Sequence, residues 1–239
     1  MPFGTRHSYI DTKLSDKINQ DRDKDQENLL DIFTPCPYSE NSMEALINFL
    51  FEVGMLKRTP RTGYQFLGSG QESVAEHSFR MAIIGYVLSL QEEGADSMKT
   101  TLMCLFHDLH EARTGDHNYV NKRYVTVNDE QAVKDLARGL PFGDDLISLT
   151  QEFNTGESLE ACISRDADQL DLIMALKEQQ DLGNKYAKDW LEYAVKRLHT
   201  GSAIRMADQI LTTDSTDWWF DRNPAWWVNG PANAQKMEK

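Results

Sequence analysis

The sequence predicts an all-α fold, a compact bundle of six or more helices, and three observations carry that reading. Apolar residues recur every three or four positions through most of the chain. Glycines and prolines punctuate the intervals between these runs. Nowhere does a two-residue alternation continue long enough to build a sheet. Residues 1–38 stand apart as a polar arm, charge-rich around Asp21-Arg22-Asp23-Lys24-Asp25-Gln26-Glu27 and ending in Thr34-Pro35-Cys36-Pro37, where two prolines prevent a regular helix. The bundle then occupies 39–213, and a Trp-rich tail follows at 214–239.

The first helix begins near Ser42 and carries Leu46, Ile47, Leu50, Phe51, Val53 and Leu56 at helical spacing. It stops at the basic run Lys57-Arg58-Thr59-Pro60-Arg61-Thr62-Gly63-Tyr64, which Pro60 and Gly63 make a loop. Ser73-Val74-Ala75-Glu76 has the form of a capping box, so a second helix starts just after Ser73 and runs through Met81, Ile84, Val87 and Leu88 toward Gly94. A third covers about Ser97 to Ala112 through Leu102, Leu105, Phe106 and Leu109, with Gly115 at its exit. Further helical patterns cover 128–138, 144–153, 157–181, 186–199 and 201–213, separated by Gly139, Pro141, Gly143, Gly156 and Gly183.

Composition excludes several functions. With 25 Lys+Arg against 38 Asp+Glu, the 239-residue chain has a formal charge of −13. That field repels phosphate backbones and argues against coating of DNA or RNA, while a small anion can still be held where a few arginines gather. Charges interrupt every apolar stretch before the roughly 18 residues of a membrane span, and residues 1–31 lack the apolar core of a secretory signal, so a cytoplasmic protein is expected. Cys36, Cys104 and Cys162 are far apart, with no Cys-x-x-Cys pair, which argues against a zinc knuckle or disulfide framework. Trp218, Trp219, Trp226 and Trp227 crowd the tail and read as aromatic anchors for the chain's own core or for a second subunit.

The residues that carry chemistry lie in the middle of the chain. His77 falls in the first turn of the capped helix. His107 and Asp108 are adjacent on the next, with Glu111 one turn beyond them. Burying imidazole and carboxylate together requires a partner, and a divalent cation is the simplest one. Imidazole and carboxylate without thiolate suit Mn²⁺, Fe²⁺, Co²⁺, Ni²⁺ or Zn²⁺. A further carboxylate is expected from Asp166, Asp168 or Asp171, which share an otherwise apolar helix; periodicity does not choose among them.

His77, His107-Asp108 and a distant Asp together resemble the ligand set of the HD-domain metal-dependent phosphohydrolases. The blocks Lys57-Arg58-Thr59-Pro60-Arg61-Thr62-Gly63, Val74-Ala75-Glu76-His77-Ser78, His107-Asp108-x-x-Glu111 and Thr114-Gly115-Asp116 resemble the branch that removes the 5′-phosphate from (deoxy)nucleoside monophosphates. The resemblance implies one divalent metal held by His77, His107, Asp108 and Asp168. Asp168 is chosen for its Ala-Asp-x-Leu context, with Asp166 as the alternative. It further implies Glu111 as the acid/base group beside a metal-activated water, Arg58 as the cation that meets phosphate, and Asp116 as a sugar contact or partner to a ligand. Arg61 and Lys122 add positive field, and a homodimer is expected. Thr59 stands where deoxy-selective bacterial members carry a Trp that crowds a 2′-hydroxyl, a departure that bears on sugar choice. A phosphodiesterase or alarmone hydrolase would share the four ligands, and a non-catalytic nucleotide sensor would keep the metal without turnover.

Overall fold

The computed structural model describes residues 40–220 together with 227, 228 and 230. The arm at 1–38 and Trp226 in the tail lie outside the described residues. Among the described residues there is no strand, and helices account for the architecture: α1 (Glu40–Val53), α2 (Tyr64–Leu67), α3 (Val74–Ser89), α4 (Ser97–Phe106), α5 (Glu111–Thr114), α6 (Asp129–Ala137), α7 (Gly143–Thr155), α8 (Leu159–Asp181), α9 (Lys185–Ala194) and α10 (Gly201–Thr212). Short 3-10 turns at Gly54–Lys57, Asn121–Arg123 and Val195–Arg197 extend or link them.

The 23-residue α8 is the axis of the bundle, with α3, α4, α7, α9 and α10 packed around it. Its Ile163, Ala167, Leu170 and Ile173 are fully buried and meet Met81 and Leu88 of α3 and Cys104 of α4 in the main core. A second apolar cluster joins Leu56, Val74, Leu109, Val133, Leu136 and Leu146 beneath the 107–114 segment. Burying a Leu or Ile side chain is worth about 1.5–3 kcal/mol, so the elements that carry the chemical residues are clamped from both sides. Gly85 makes the α3–α4 contact possible: a Cβ there would lie 2.5 Å from Cys104 Sγ.

Local signals explain the element starts. Ser73 Oγ accepts from the Glu76 amide at 3.2 Å, and Glu76 Oε2 accepts from the Ser73 amide at 2.7 Å, the capping box expected from sequence. Asp96, Asn128, Ser158, Asn184 and Thr200 cap α4, α6, α8, α9 and α10 in the same manner with one side-chain oxygen each.

One expected element differs. The helix anticipated from Ser97 to Ala112 ends at Phe106, and α5 restarts at Glu111. Between them the bonds tighten: the Leu109 amide donates to the Phe106 carbonyl and the Glu111 amide to the Asp108 carbonyl, three residues back instead of four. Gly115, at φ 75°, then turns the chain out of α5, a conformation that disfavours side chains.

The described tryptophans of the tail are solvent-facing in the single chain, with Trp218 86% exposed. Trp219, Phe220 and Trp227 instead pack on one another, with Phe220 and Trp227 stacked at 5.0 Å. No described helix is long and apolar enough to cross a membrane.

Candidate metal centre and active-site cleft

His77 enters the site from the first turn of α3, where the cap fixes its direction, and its side chain is fully buried. His107 closes the C-terminal end of α4, and its Nδ1 lies 2.8 Å from the Cys104 carbonyl. A carbonyl only accepts, so that nitrogen carries the proton and Nε2 presents its lone pair. His77 Nδ1 lies 2.6 Å from Asp171 Oδ2, which directs the His77 Nε2 lone pair inward by the same logic. Asp171 is fixed in turn by Arg80, which also donates to Glu178 at 2.8 Å.

The two Nε2 atoms are buried and have no hydrogen-bond partner. Asp108 Oδ2 approaches both, at 3.7 Å from His77 Nε2 and 2.9 Å from His107 Nε2, and Asp168 Oδ1 lies 3.3 Å from His77 Nε2. Donor atoms of His77, His107 and Asp168 all fall within 4.8 Å of one another. Buried polar atoms are normally paired, so two orphaned imidazole nitrogens facing two carboxylates fit a bound divalent cation.

Burial and Arg61 lower the His77 imidazole, but Asp168 and Asp171 outweigh them and raise it to about 10, so a proton competes with a cation for its Nε2. Burial alone would raise the Asp108 carboxyl, yet His107, His77 and Arg61 outweigh it and hold Asp108 well below the usual carboxylate range. Burial likewise opposes ionisation of Asp168, but His77 and Arg61 bring it down to about 2. Glu111 goes the other way. Burial, then the neighbouring Asp108 and Asp116 charges, push it up to about 9, so it holds a proton near neutral pH.

Asp168, not Asp166, faces this cluster. Asp166 is fully buried on another side of α8, where it accepts from the His199 amide at 2.9 Å and the Thr200 amide at 2.7 Å at the start of α10. Its oxygens are thus committed to backbone.

The basic loop is drawn in beside the cluster. Pro60 and Ser73 form an isolated antiparallel bridge, with the Val74 amide donating to the Thr59 carbonyl and the Arg61 amide to the Glu72 carbonyl. Arg61 Nη1 then reaches Asp108 Oδ2 at 3.4 Å and Nη2 reaches Asp168 Oδ1 at 4.0 Å. Asp116 clasps the same loop by accepting from the Thr62 amide at 2.6 Å and the Thr62 hydroxyl at 3.2 Å. Arg58 is exposed and is not among the residues that line the cleft, and neither is Thr59, whose hydroxyl donates to the Met55 carbonyl. Arg61, three residues on, does line the cleft.

The cleft above the cluster has a volume of ≈ 660 Å³ and includes Arg61, Asp108, Glu111, Asp116, Asp168 and, at its exposed rim, Lys122. This is ample for a mononucleotide-sized ligand. Other residues, given no separate role by sequence, also matter here. Asp171 orients His77, and its signal was only a third acid one turn after Asp168. His110 lines the cleft with Nδ1 buried and unpartnered. Gln169 donates to Asp168 Oδ2 at 2.8 Å.

A family model described as HD domain matches residues 53–208, a span that contains every residue of this cluster. The chain belongs to the HD-domain family. Among relatives of this HD-domain protein, human 5′-deoxynucleotidase HDDC2 is 27% identical over 188 residues, covering 75% of this chain and 91% of the human one. The bovine protein of the same name is 34% identical over 146 residues, covering 59% and 70%. Among solved structures, the PH0347 protein of Pyrococcus horikoshii superposes with a TM-score of 0.58 at 29% identity, covering 69% of this chain and 98% of that one.

Within this HD-domain site the carboxylate behind His77 has a testable task. Asp171→Asn is expected to weaken metal affinity by about 10–100-fold, the usual cost of losing an outer hydrogen-bond partner, with the fold retained. Metal titration followed by calorimetry checks this, and unchanged affinity would show that Asp171 merely fills space.

Proposed function

We propose that this protein is a divalent-metal-dependent 5′-nucleotidase that removes the 5′-phosphate from deoxynucleoside monophosphates. The observation that carries the reading is the convergence of two orphaned imidazole nitrogens with Asp108 and Asp168 on the floor of a cleft, with Arg61 and Glu111 beside them. The activity in the relatives' name supports the substrate class.

His77, His107, Asp108 and Asp168 would hold one ion, of the Mn²⁺, Fe²⁺, Co²⁺, Ni²⁺ or Zn²⁺ type that imidazole and carboxylate suit. When bound, such an ion supplies Lewis acidity and makes water a competent nucleophile near neutral pH. Arg61 donates to the phosphate oxygens and compensates charge as the phosphorus–oxygen bond breaks. Glu111, protonated by its surroundings, delivers its proton to the departing 5′-oxygen and so avoids expulsion of an alkoxide. Asp116 keeps the arginine loop in register through Thr62, and Lys122 adds positive field at the mouth. A chain of net charge −13 thereby holds a dianion at one local site.

Arginine usage separates the two loop cations. Arg61→Ala is expected to raise KM for a 5′-mononucleotide by about 10–100-fold, the value of a charged hydrogen bond, while Arg58→Ala changes it less than about threefold. Steady-state kinetics on both variants checks this, and the reverse order would return the phosphate contact to Arg58.

The deciding experiment is phosphate release from 5′- and 3′-mononucleotides, ribo and deoxy, after metal is stripped and ions are restored one at a time. Release from 5′-deoxynucleotides alone supports the reading. Metal binding without release from any of them overturns it in favour of a cyclic-nucleotide or alarmone hydrolase, or a sensor.

A homodimer is part of the same proposal. Phe79, Ile83, Tyr86 and Leu90 form an exposed apolar stripe along one side of α3 and its end, between 48% and 67% exposed. Sedimentation velocity reads it directly. A cytoplasmic setting accords with the free thiols of Cys104 and Cys162.

A further inference from the structure

Beside the catalytic cleft lies a second cavity of ≈ 410 Å³ with apolar walls, within the roughly 300–1,000 Å³ of small-molecule sites. Its sides are aromatic: Phe66 from α2, Trp190 and Tyr193 from α9, and Tyr119 from the segment after α5, with Leu172 and Leu176 of α8 beneath. Tyr119, Leu172, Leu176 and Trp190 line both cavities, so the two adjoin.

Two structural links tie this slot to the chemistry. The first is a polar chain. Gln169 Nε2 donates to Asp168 Oδ2 at 2.8 Å, Arg197 Nη1 donates to Gln169 Oε1 at 3.2 Å and also to the Tyr119 hydroxyl, and the guanidinium lies 4.9 Å from the Tyr119 ring centre. The second is steric. The Trp190 ring packs over Gly63, 3.8 Å from where a Cβ would sit, so one wall of the slot touches the loop that carries Arg61. The aromatic slot thus adjoins the loop that carries Arg61.

We propose that this slot is the base-binding subsite, in which the nucleobase of the substrate lies against Trp190, Phe66 and Tyr193 while its 5′-phosphate meets Arg61. The inference rests on the nucleotidase reading and gives it a recognition element for the base. Stacking on aromatic faces accepts every base, because each presents a π-face, and the exposed position of Tyr193 and Phe66 leaves the outer edge open. The subsite therefore separates nucleotides from sugar phosphates more than it separates one base from another.

The test compares dAMP with 2-deoxyribose 5-phosphate, which has the phosphate and sugar but no base. For wild-type enzyme kcat/KM is expected to favour dAMP by about 10–100-fold, the range that aromatic stacking of one base supplies. The double variant Phe66→Ala/Tyr193→Ala, chosen because both side chains are 44% and 62% exposed and outside the core, is expected to lose most of that advantage while its rate on the sugar phosphate is unchanged. Equal wild-type rates on the two compounds, or equal loss on both in the variant, would overturn the subsite and leave the nucleotidase standing. Binding of deoxyadenosine, followed by ligand-observed NMR, separates the other failure. Binding that the double variant abolishes, with no phosphate released from any nucleotide, would keep the subsite and sink the nucleotidase. Absence of deoxyadenosine binding in an active enzyme counts against the subsite.

Discussion

Replacing Asp168 by Ala is expected to empty the metal site and reduce phosphate release by more than about 100-fold, above the usual cost of losing an outer-shell partner. The same change at Asp166 leaves metal content intact and lowers the melting temperature instead. The two acids are two residues apart on α8, yet they face different problems. Asp168 looks into the cluster, with Oδ1 3.3 Å from the orphaned His77 Nε2. Asp166 satisfies the amides of His199 and Thr200, which bring the chain into α10. Stripping its carboxylate leaves two donors without an acceptor, at about 2–4 kcal/mol together, or a fall in Tm of about 5–15 °C. Metal analysis and thermal melts of the two variants decide the matter. Metal lost from the Asp166 variant and kept by the Asp168 variant would reverse the assignment.

The second large effect is at Glu111. Glu111→Gln is expected to reduce kcat by about 100-fold or more with metal content and KM little changed, because the side chain keeps its shape and loses its transferable proton. As an acid, Glu111 must be protonated, so wild-type activity declines as pH rises through its pKa. That value is about 9 in the ion-free protein, and a neighbouring cation lowers it, so the alkaline limb falls at or below about 9. The limb should vanish in the Gln variant. Stability gives an independent readout. The folded pKa lies above the unfolded 4.5, so the folded chain retains a proton that the unfolded chain releases, and this residue makes stability fall as pH rises from about 4.5 to about 9. Metal-free Glu111→Gln should therefore melt higher than wild type at pH 8. Equal melting and unaltered kcat would remove Glu111 from the reaction.

How much of this was legible beforehand depended on whether the determinant was local. The Ser73–Glu76 box, the caps and the glycine exits act within a few residues, and the helix positions follow from them. The facing of Asp166, Asp168 and Asp171 was not legible, because α8 is buried among five other helices and has no single polar side for periodicity to mark. The break after Phe106 was also hidden, since Leu109 and Ala112 continue an apolar pattern through the turn. That break matters, because it sets Asp108 and Glu111 apart from α4 rather than along it. Which of Arg58 and Arg61 reaches the cleft depends on the loop that the Pro60–Ser73 bridge ties down, between residues 13 positions apart. Loop residues have no period to read. The spacing of the blocks marked His77, His107 and Asp108 as residues to watch, while Asp168 was picked out only by its Ala-Asp-x-Leu context in the resemblance.

Gly85 has a consequence for natural variation in this chain. The residue carries no polar side chain and is two turns along α3 from His77, so a survey of variants guided by chemistry would pass over it. Yet even alanine there meets Cys104, the residue whose carbonyl fixes the tautomer of His107. A single methyl group would wedge α3 from α4 and spread the two histidines that those helices carry. Position 85 is thus expected to tolerate substitution as poorly as the histidines, which saturation mutagenesis scored by metal retention would reveal. Inheritance of the active site includes a site of close packing where no chemistry occurs.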